Sequence, residues 1–244
     1  MARGILTRLA HGSDNLQPAW TPGGERLTFS SNRNGHFNLF WQRADGSAPA
    51  EPLAASEGGQ QAGSWTPDGN TLVFSQGSDI WWLLLDEDRK PRPLLEADHR
   101  LSYPRLSSDG RWLAYVSDET GREEVYLQAF PDLGRKHQVS SQGGFDPVWN
   151  SNGRELFFRW ANAIHVVDVR SQGELELGTP RLLFETPSAL PTLAIRYRWN
   201  TYDVTPDGRR FAMLVTTESE TARTELVYVQ NWAEELKRLV PTGN

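Results

Sequence analysis

Three short polar stretches carry the side chains best suited to chemistry. His11 and Asp14 lie in HGSDNLQ, His99 in DHRLSY and Asp146 in QGGFD. Imidazole and carboxylate are hard or borderline metal ligands. Gathered around one point, His11, Asp14, His99 and Asp146 would hold a divalent cation, Ca or Zn. Such a cation polarises an ester or phosphoester and activates water, with His99, Asp146 and His11 as the catalytic candidates. The same stretches, with EGGQQAG and the segment from Pro187 to Tyr202, carry Gln17, Gln61, Asp98, Tyr103, Arg196, Tyr197 and Arg198. These are polar and aromatic groups of the kind that line a binding face. Against the metal stand two facts. There is no HxH or HxxxH pair, and short polar linkers are ordinarily solvated turns. A serine nucleophile has less support still. The sequence has no GxSxG, although a triad needs geometry rather than chain order.

What would position these groups is a repeat. AWTPGGERLTFS, SWTPDGNTLVFS, RLSSDGRWLAYV, VWNSNGRELFFR and DVTPDGRRFAML are five versions of one sentence. Each is anchored on a turn glycine: Gly24, Gly69, Gly110, Gly153 and Gly208. Four residues before each stands Trp20, Trp65, Leu106, Trp149 or Val204, and five after it Phe29, Phe74, Tyr115, Phe158 or Met213. Proline presets φ and glycine reaches a positive φ, which closes a hairpin. Apolar residues then alternate with period two, the mark of a strand. A polar loop such as SNRNGH (Ser31 to His36) or SDETGREE (Ser117 to Glu124) leads to a third strand. EPLAAS, RPLLEA, HQVSS and RLLFET supply a fourth. Four short strands in about 42 residues are the period of a propeller blade. The expected fold is all-β, a β-propeller of four-stranded antiparallel blades over residues 1–244, with the metal candidates at the mouth of its central channel. A four-stranded sheet cannot bury both faces alone, so each anchor Trp is expected to pack between neighbouring sheets. Trp81 and Trp82 read as core and inter-blade packing. Trp41, Trp160 and Trp199 lie nearer loops, where one would serve as an exposed binding aromatic.

The stretch QPAWTPGGERLTFSSNRNGHFNLFWQRADGS resembles the repeat of TolB-type propellers. That repeat runs roughly Pro-x-Trp-Ser-Pro-Asp-Gly, a strand, Ser-x-Arg-x-Gly, then a second strand and Asp-Gly. The C-terminal VYVQNWAEELKRLVPTGN resembles the end of TolB-like propellers attached to bacterial serine/threonine kinases. The third, fourth and fifth copies depart at Leu106, Ser108, Asn152 and Val204. The fifth also carries the insertion PSALPTLAIRYRWN. The resemblance implies a module presenting its faces to protein or peptide. In a kinase-linked parent it implies a periplasmic or extracytoplasmic location.

Bulk properties narrow the partners. Formal net charge is -6 and there is no basic block, so nucleic acid is not expected to be a partner. The longest apolar runs, such as IWWLLL, fall far short of the ~20 residues of a membrane helix, and no signal peptide is read at the N-terminus. The absence of cysteine removes thiolates, disulfides and Cys-based zinc sites. Ile5 to Ala10 reads as an outer strand that either completes the last blade or is the remnant of a lost one. Open blade edges would then allow a homo-oligomer. Trp232 to Leu239 reads as a short helix. Two functions remain: a non-catalytic binding module, or a metal-assisted hydrolase of esters, lactones or phosphotriesters.

Overall fold

The computed structural model describes residues 9–10, 13–54, 56–85, 88–171, 174–186, 200–216 and 224–229. The Trp232–Leu239 helix and most of the Ile5–Ala10 strand lie outside them. The chain divides into two compact units, Met1–Glu96 and Ala97–Asn244.

The first unit holds two four-stranded antiparallel sheets. One runs in the order β1 (Asn15–Trp20), β2 (Arg26–Asn34), β3 (His36–Arg43), β4 (Glu51–Ala54). The other runs β5 (Gln60–Trp65), β6 (Thr71–Gln76), β7 (Asp79–Leu84), β8 (Arg92–Leu95). The second unit begins with β9 (Leu101–Leu106), β10 (Trp112–Ser117), β11 (Glu124–Ala129) and β12 (His137–Gln138). A fourth sheet follows with β13 (Phe145–Trp149), β14 (Glu155–Trp160) and β15 (Ala163–Arg170). The edge of β15 is shared by β16 (Glu176–Leu177) and β17 (Arg181–Glu185). The last described sheet is β18 (Tyr202–Val204), β19 (Phe211–Thr216) and β20 (Thr224–Val229). No helix occurs among the described residues.

The glycine turn is the same object five times. Gly24, Gly69, Gly110, Gly153 and Gly208 have φ of 69°, 73°, 71°, 68° and 68°. Each donates its N–H to the carbonyl three residues back, on Thr21, Thr66, Ser107, Asn150 or Thr205. Where the turn carries aspartate, the carboxylate caps it. Asp68 accepts from the Thr66 hydroxyl and the Asn70 N–H, and Asp207 accepts from the Thr205 hydroxyl and the Arg209 N–H. These bonds hold both carboxyls below their usual range. Asn152 takes the same place in the fourth copy, its Oδ1 accepting from the Arg154 N–H at 2.8 Å.

The anchor Trp packs backward. Trp65 lies against the preceding sheet, stacked on Trp41 at 6.4 Å, and its Nε1 donates to Thr28 Oγ1 at 3.1 Å. Trp149 sits in a core with Tyr103, Val116 and Leu127 of the preceding sheet, and its Nε1 donates to the Arg105 carbonyl at 3.2 Å. Trp20 breaks the expectation of burial, being 59% exposed. Among the described residues of its own unit, no sheet covers it in the way that the first sheet covers Trp65. Two further differences concern the loops. Ser31 to Asn34 belongs to β2 rather than to a polar loop, because Gly35 at φ 101° turns the chain without needing more residues. The two-residue β16 was also not foreseen.

Candidate functional site

The innermost strand of each of the first four sheets is bulged at one place. Register with the second strand shifts between Leu16 and Ala19, between Ala62 and Ser64, across Tyr103–Pro104, and between Phe145 and Val148. In three copies the bulge puts a residue other than glycine into the left-handed region. Gln17 has φ 51°, Tyr103 53° and Asp146 53°. Each precedes a proline and stands three residues before the anchor position. A bulge re-aims a side chain, and a left-handed residue costs of order 1–3 kcal/mol. All three side chains are buried. The repeat therefore singles out one position in three blades and keeps strain there. Gln61, on β5 opposite Ser75, stands beside the equivalent position Ala62.

Asp146 is the best defined of the three. It is fully buried, and its Oδ2 accepts from the Thr201 N–H at 2.6 Å and the Thr201 hydroxyl at 2.7 Å. Arg159, on β14, is also fully buried, and its Nη2 donates to Thr186 Oγ1 at 3.2 Å. Thr186 and Thr201 stand either side of the insertion in the fifth copy. Two buried, oppositely charged side chains of the fourth blade thus hold the chain at both ends of that insertion. Asp146 Oδ1, Arg159 Nε and Nη1 and the Tyr202 hydroxyl have no hydrogen-bond partner among the described residues. Burial pushes the Asp146 carboxyl up to about 6, opposed by the Thr201 bonds and by the Arg105 and Arg159 guanidiniums. Burial lowers Arg159, opposed by Asp146.

This environment does not suit a metal cation. One oxygen of Asp146 is committed to Thr201, and the charges acting on the carboxylate are two guanidiniums. Among the described residues no group of three or more His, Asp or Glu is placed to hold a metal. His99 lies against Glu119, Nε2 to Oε2 at 3.4 Å, and Glu119 also pairs with Lys136. Asp14 is engaged with Asn32: its Oδ2 accepts from Nδ2 at 2.9 Å, and its N–H donates to Oδ1 at 3.0 Å. Asp98 is exposed. His11, Arg196, Tyr197, Arg198 and Trp199 lie outside the described residues. Trp41 is buried, whereas Trp160 is exposed. Arg159 was missed in the sequence, although a single Arg inside the apolar ELFFRW is the signal that could have found it.

No family model matches the chain. It is 34% identical over 77 residues to the Tol-Pal system protein TolB of Pseudomonas aeruginosa, a stretch covering 32% of this chain and 16% of that protein. The structure of TolB from Acinetobacter baumannii superposes with a TM-score of 0.63 at 18% identity, over 90% of this chain and 52% of that one. The chain has a TolB-like β-propeller fold. The TolB-like chain thus spans about half of the Acinetobacter protein. A gluconolactonase of Xanthomonas campestris shares the fold, with a TM-score of 0.65 at 16% identity over 90% of this chain and 73% of that one.

Proposed function

We propose that this TolB-like propeller is a non-catalytic interaction module that presents a rigid face to protein or peptide within a larger sensor or kinase-linked protein. The observation that carries it is the use made of Asp146. The fully buried carboxyl at the fourth inner-strand bulge is spent on tying Thr201 to the blade, with no exposed surface from which to reach a substrate. His99 is likewise paired rather than poised. The partial identity to TolB supports an interaction role, and the C-terminal resemblance to kinase-linked propellers supports the larger context. The competing reading, a metal-assisted hydrolase, draws support from the gluconolactonase likeness in fold alone.

The two are separated by assaying the purified chain against chromogenic ester, lactone and phosphotriester substrates, with Ca or Zn added and with chelator. The interaction reading expects no turnover above buffer in any arm. Chelator-sensitive turnover that disappears in His99→Ala or Asp146→Asn would overturn it.

A further inference from the structure

Two of the three large exposed hydrophobic side chains among those described, Trp160 (38% exposed) and Leu182 (53%), line the same pocket. Its volume is about 290 Å³. The pocket lies beyond the end of the two-residue β12 and is walled by the loop that follows it. Phe158, at its floor, belongs to the core that also holds Tyr103, Val116 and Leu127 of the third blade. Phe158 pairs across the sheet with His165, and His165 with Leu182. The Phe158 and His165 rings stack at 5.4 Å.

The opposite wall is the loop through Ser141 and Gly143, and it is pinned. Glu124, fully buried, accepts from the Ser140 hydroxyl and from the Gly143 N–H at 3.0 Å. Arg122 bonds Glu124 at 2.7 Å and the Ser141 carbonyl at 2.8 Å. A second backbone bond ties the Gly144 N–H to the Glu123 carbonyl at 2.9 Å. The Trp160 ring lies so close to Gly143 that a Cβ there would come within 2.2 Å of it. The exposed indole is held in place before any ligand arrives, which lowers the ordering cost of binding.

No Asp, Glu, Lys or Arg lines the pocket, and burial lowers His165, keeping its ring neutral. The occupant is therefore an uncharged group. Beside the pocket runs β17, which pairs with β15 on one side and carries no strand on its other edge among the described residues. An open edge offers main-chain donors and acceptors to an extended peptide, while an adjoining pocket selects one of its side chains. A sugar would use the indole and the polar Ser141, Gln142 and Thr179 of the lining but would gain nothing from the exposed Leu182 or from the strand edge.

We propose that the pocket between Trp160 and Leu182 receives an uncharged aromatic or branched aliphatic side chain of an extended peptide lying along β17. This deepens the interaction-module reading and rests on it. Large aromatic anchors in preformed pockets carry most of the energy of such contacts.

The test pans a displayed library of random twelve-residue peptides on the whole chain. Enriched sequences are then measured as synthetic peptides against wild type, Trp160→Ala, Leu182→Ser and, as a control, Trp20→Ala. Leu182→Ser changes a half-exposed side chain and should leave the melting temperature near the wild-type value, and Trp160→Ala, which also gives up packing on Gly143, is compared at a temperature at which circular dichroism shows it fully folded. The expected result is a shared apolar position whose replacement by Ala, like Trp160→Ala or Leu182→Ser, weakens binding about tenfold or more. Trp20→Ala should leave binding unchanged. Peptides that bind all four proteins equally would overturn the pocket while leaving the interaction module intact. No enriched peptide would count against both. Trp160-dependent binding on a panel of neutral glycans, without peptide binding, would replace the peptide by a sugar.

Discussion

Asp146 and Thr201 are joined twice through one oxygen, Oδ2 accepting both the backbone N–H and the hydroxyl of the threonine. The pair links β13 of the fourth blade to the residue preceding β18 of the fifth. Hydrogen bonds to a charged partner contribute more than neutral ones, and breaking a buried ionic arrangement by removing one member leaves the other uncompensated. Asp146→Ala should therefore cost ~3–5 kcal/mol, because Arg159 loses its opposing charge. Thr201→Val, which keeps the backbone bond, should cost only ~1–3 kcal/mol. Urea midpoints of the two variants would show the order, and equal losses would contradict it.

The same carboxyl makes stability depend on pH with a definite sign. Its folded value, about 6, lies above the unfolded value near ~3.9. Between the two the native state binds more protons than the unfolded state, so stability falls as pH rises from about 4 through 6. Full ionisation costs on the order of 3 kcal/mol. The turn aspartates Asp68 and Asp207 act oppositely: their contribution is present above ~3.9 and is lost at lower pH. Measured against wild type, Asp146→Asn should flatten the slope between pH 4 and 7 and leave the acid limb. An unchanged slope would place the titration elsewhere.

Two tryptophans at equivalent sequence positions should behave differently. Trp65→Ala empties a buried inter-sheet site and should cost ~3–5 kcal/mol. Trp20→Ala removes a mostly exposed ring and should fall within ~0.5 kcal/mol of wild type. Comparable losses from parallel thermal or denaturant melts would mean that Trp20 is covered in solution.

Gly143→Ala should destabilise by ~1–3 kcal/mol, since the new Cβ meets the Trp160 ring and φ is 116°. In the Trp160→Ala background the collision is gone and only the backbone term remains. The double-mutant cycle should therefore show favourable coupling of at least ~0.5 kcal/mol. Strict additivity would mean that the two residues do not press on each other.

The repeating parts of the fold were legible because each follows from local chemistry. The turn glycines, the alternating Leu-x-Phe strands and the outer strands from EPLAAS to RLLFET were all read from neighbours in sequence. Trp20 could not be read correctly, since its burial depends on which sheet stands before it rather than on its own blade. The candidate site was half legible. Gln17, Tyr103 and Asp146 were singled out as polar residues at the entry to inner strands, which is where the bulges lie. Their left-handed conformation was not visible in the sequence, because proline after them biases against the α region without specifying φ > 0. Nor was the partnership of Asp146 with Thr201, 55 residues away. Glu124 reads as the end of the polar loop SDETGREE, whereas it opens β11 and is fully buried, and Arg159 looks like an ordinary strand charge until its burial is known.

The backward packing of the anchor Trp gives the array a polarity. The contact that Trp65 makes with the first sheet and Trp149 with the third is head-to-tail, the same two surfaces joined in the same order. A joint of that kind does not depend on how many copies lie on either side of it. Gene duplication could therefore add or remove a whole unit without inventing a new interface, whereas reversing or mirroring one unit would leave its indole with nothing to dock on. Copy number can drift in such a lineage while the direction of stacking cannot.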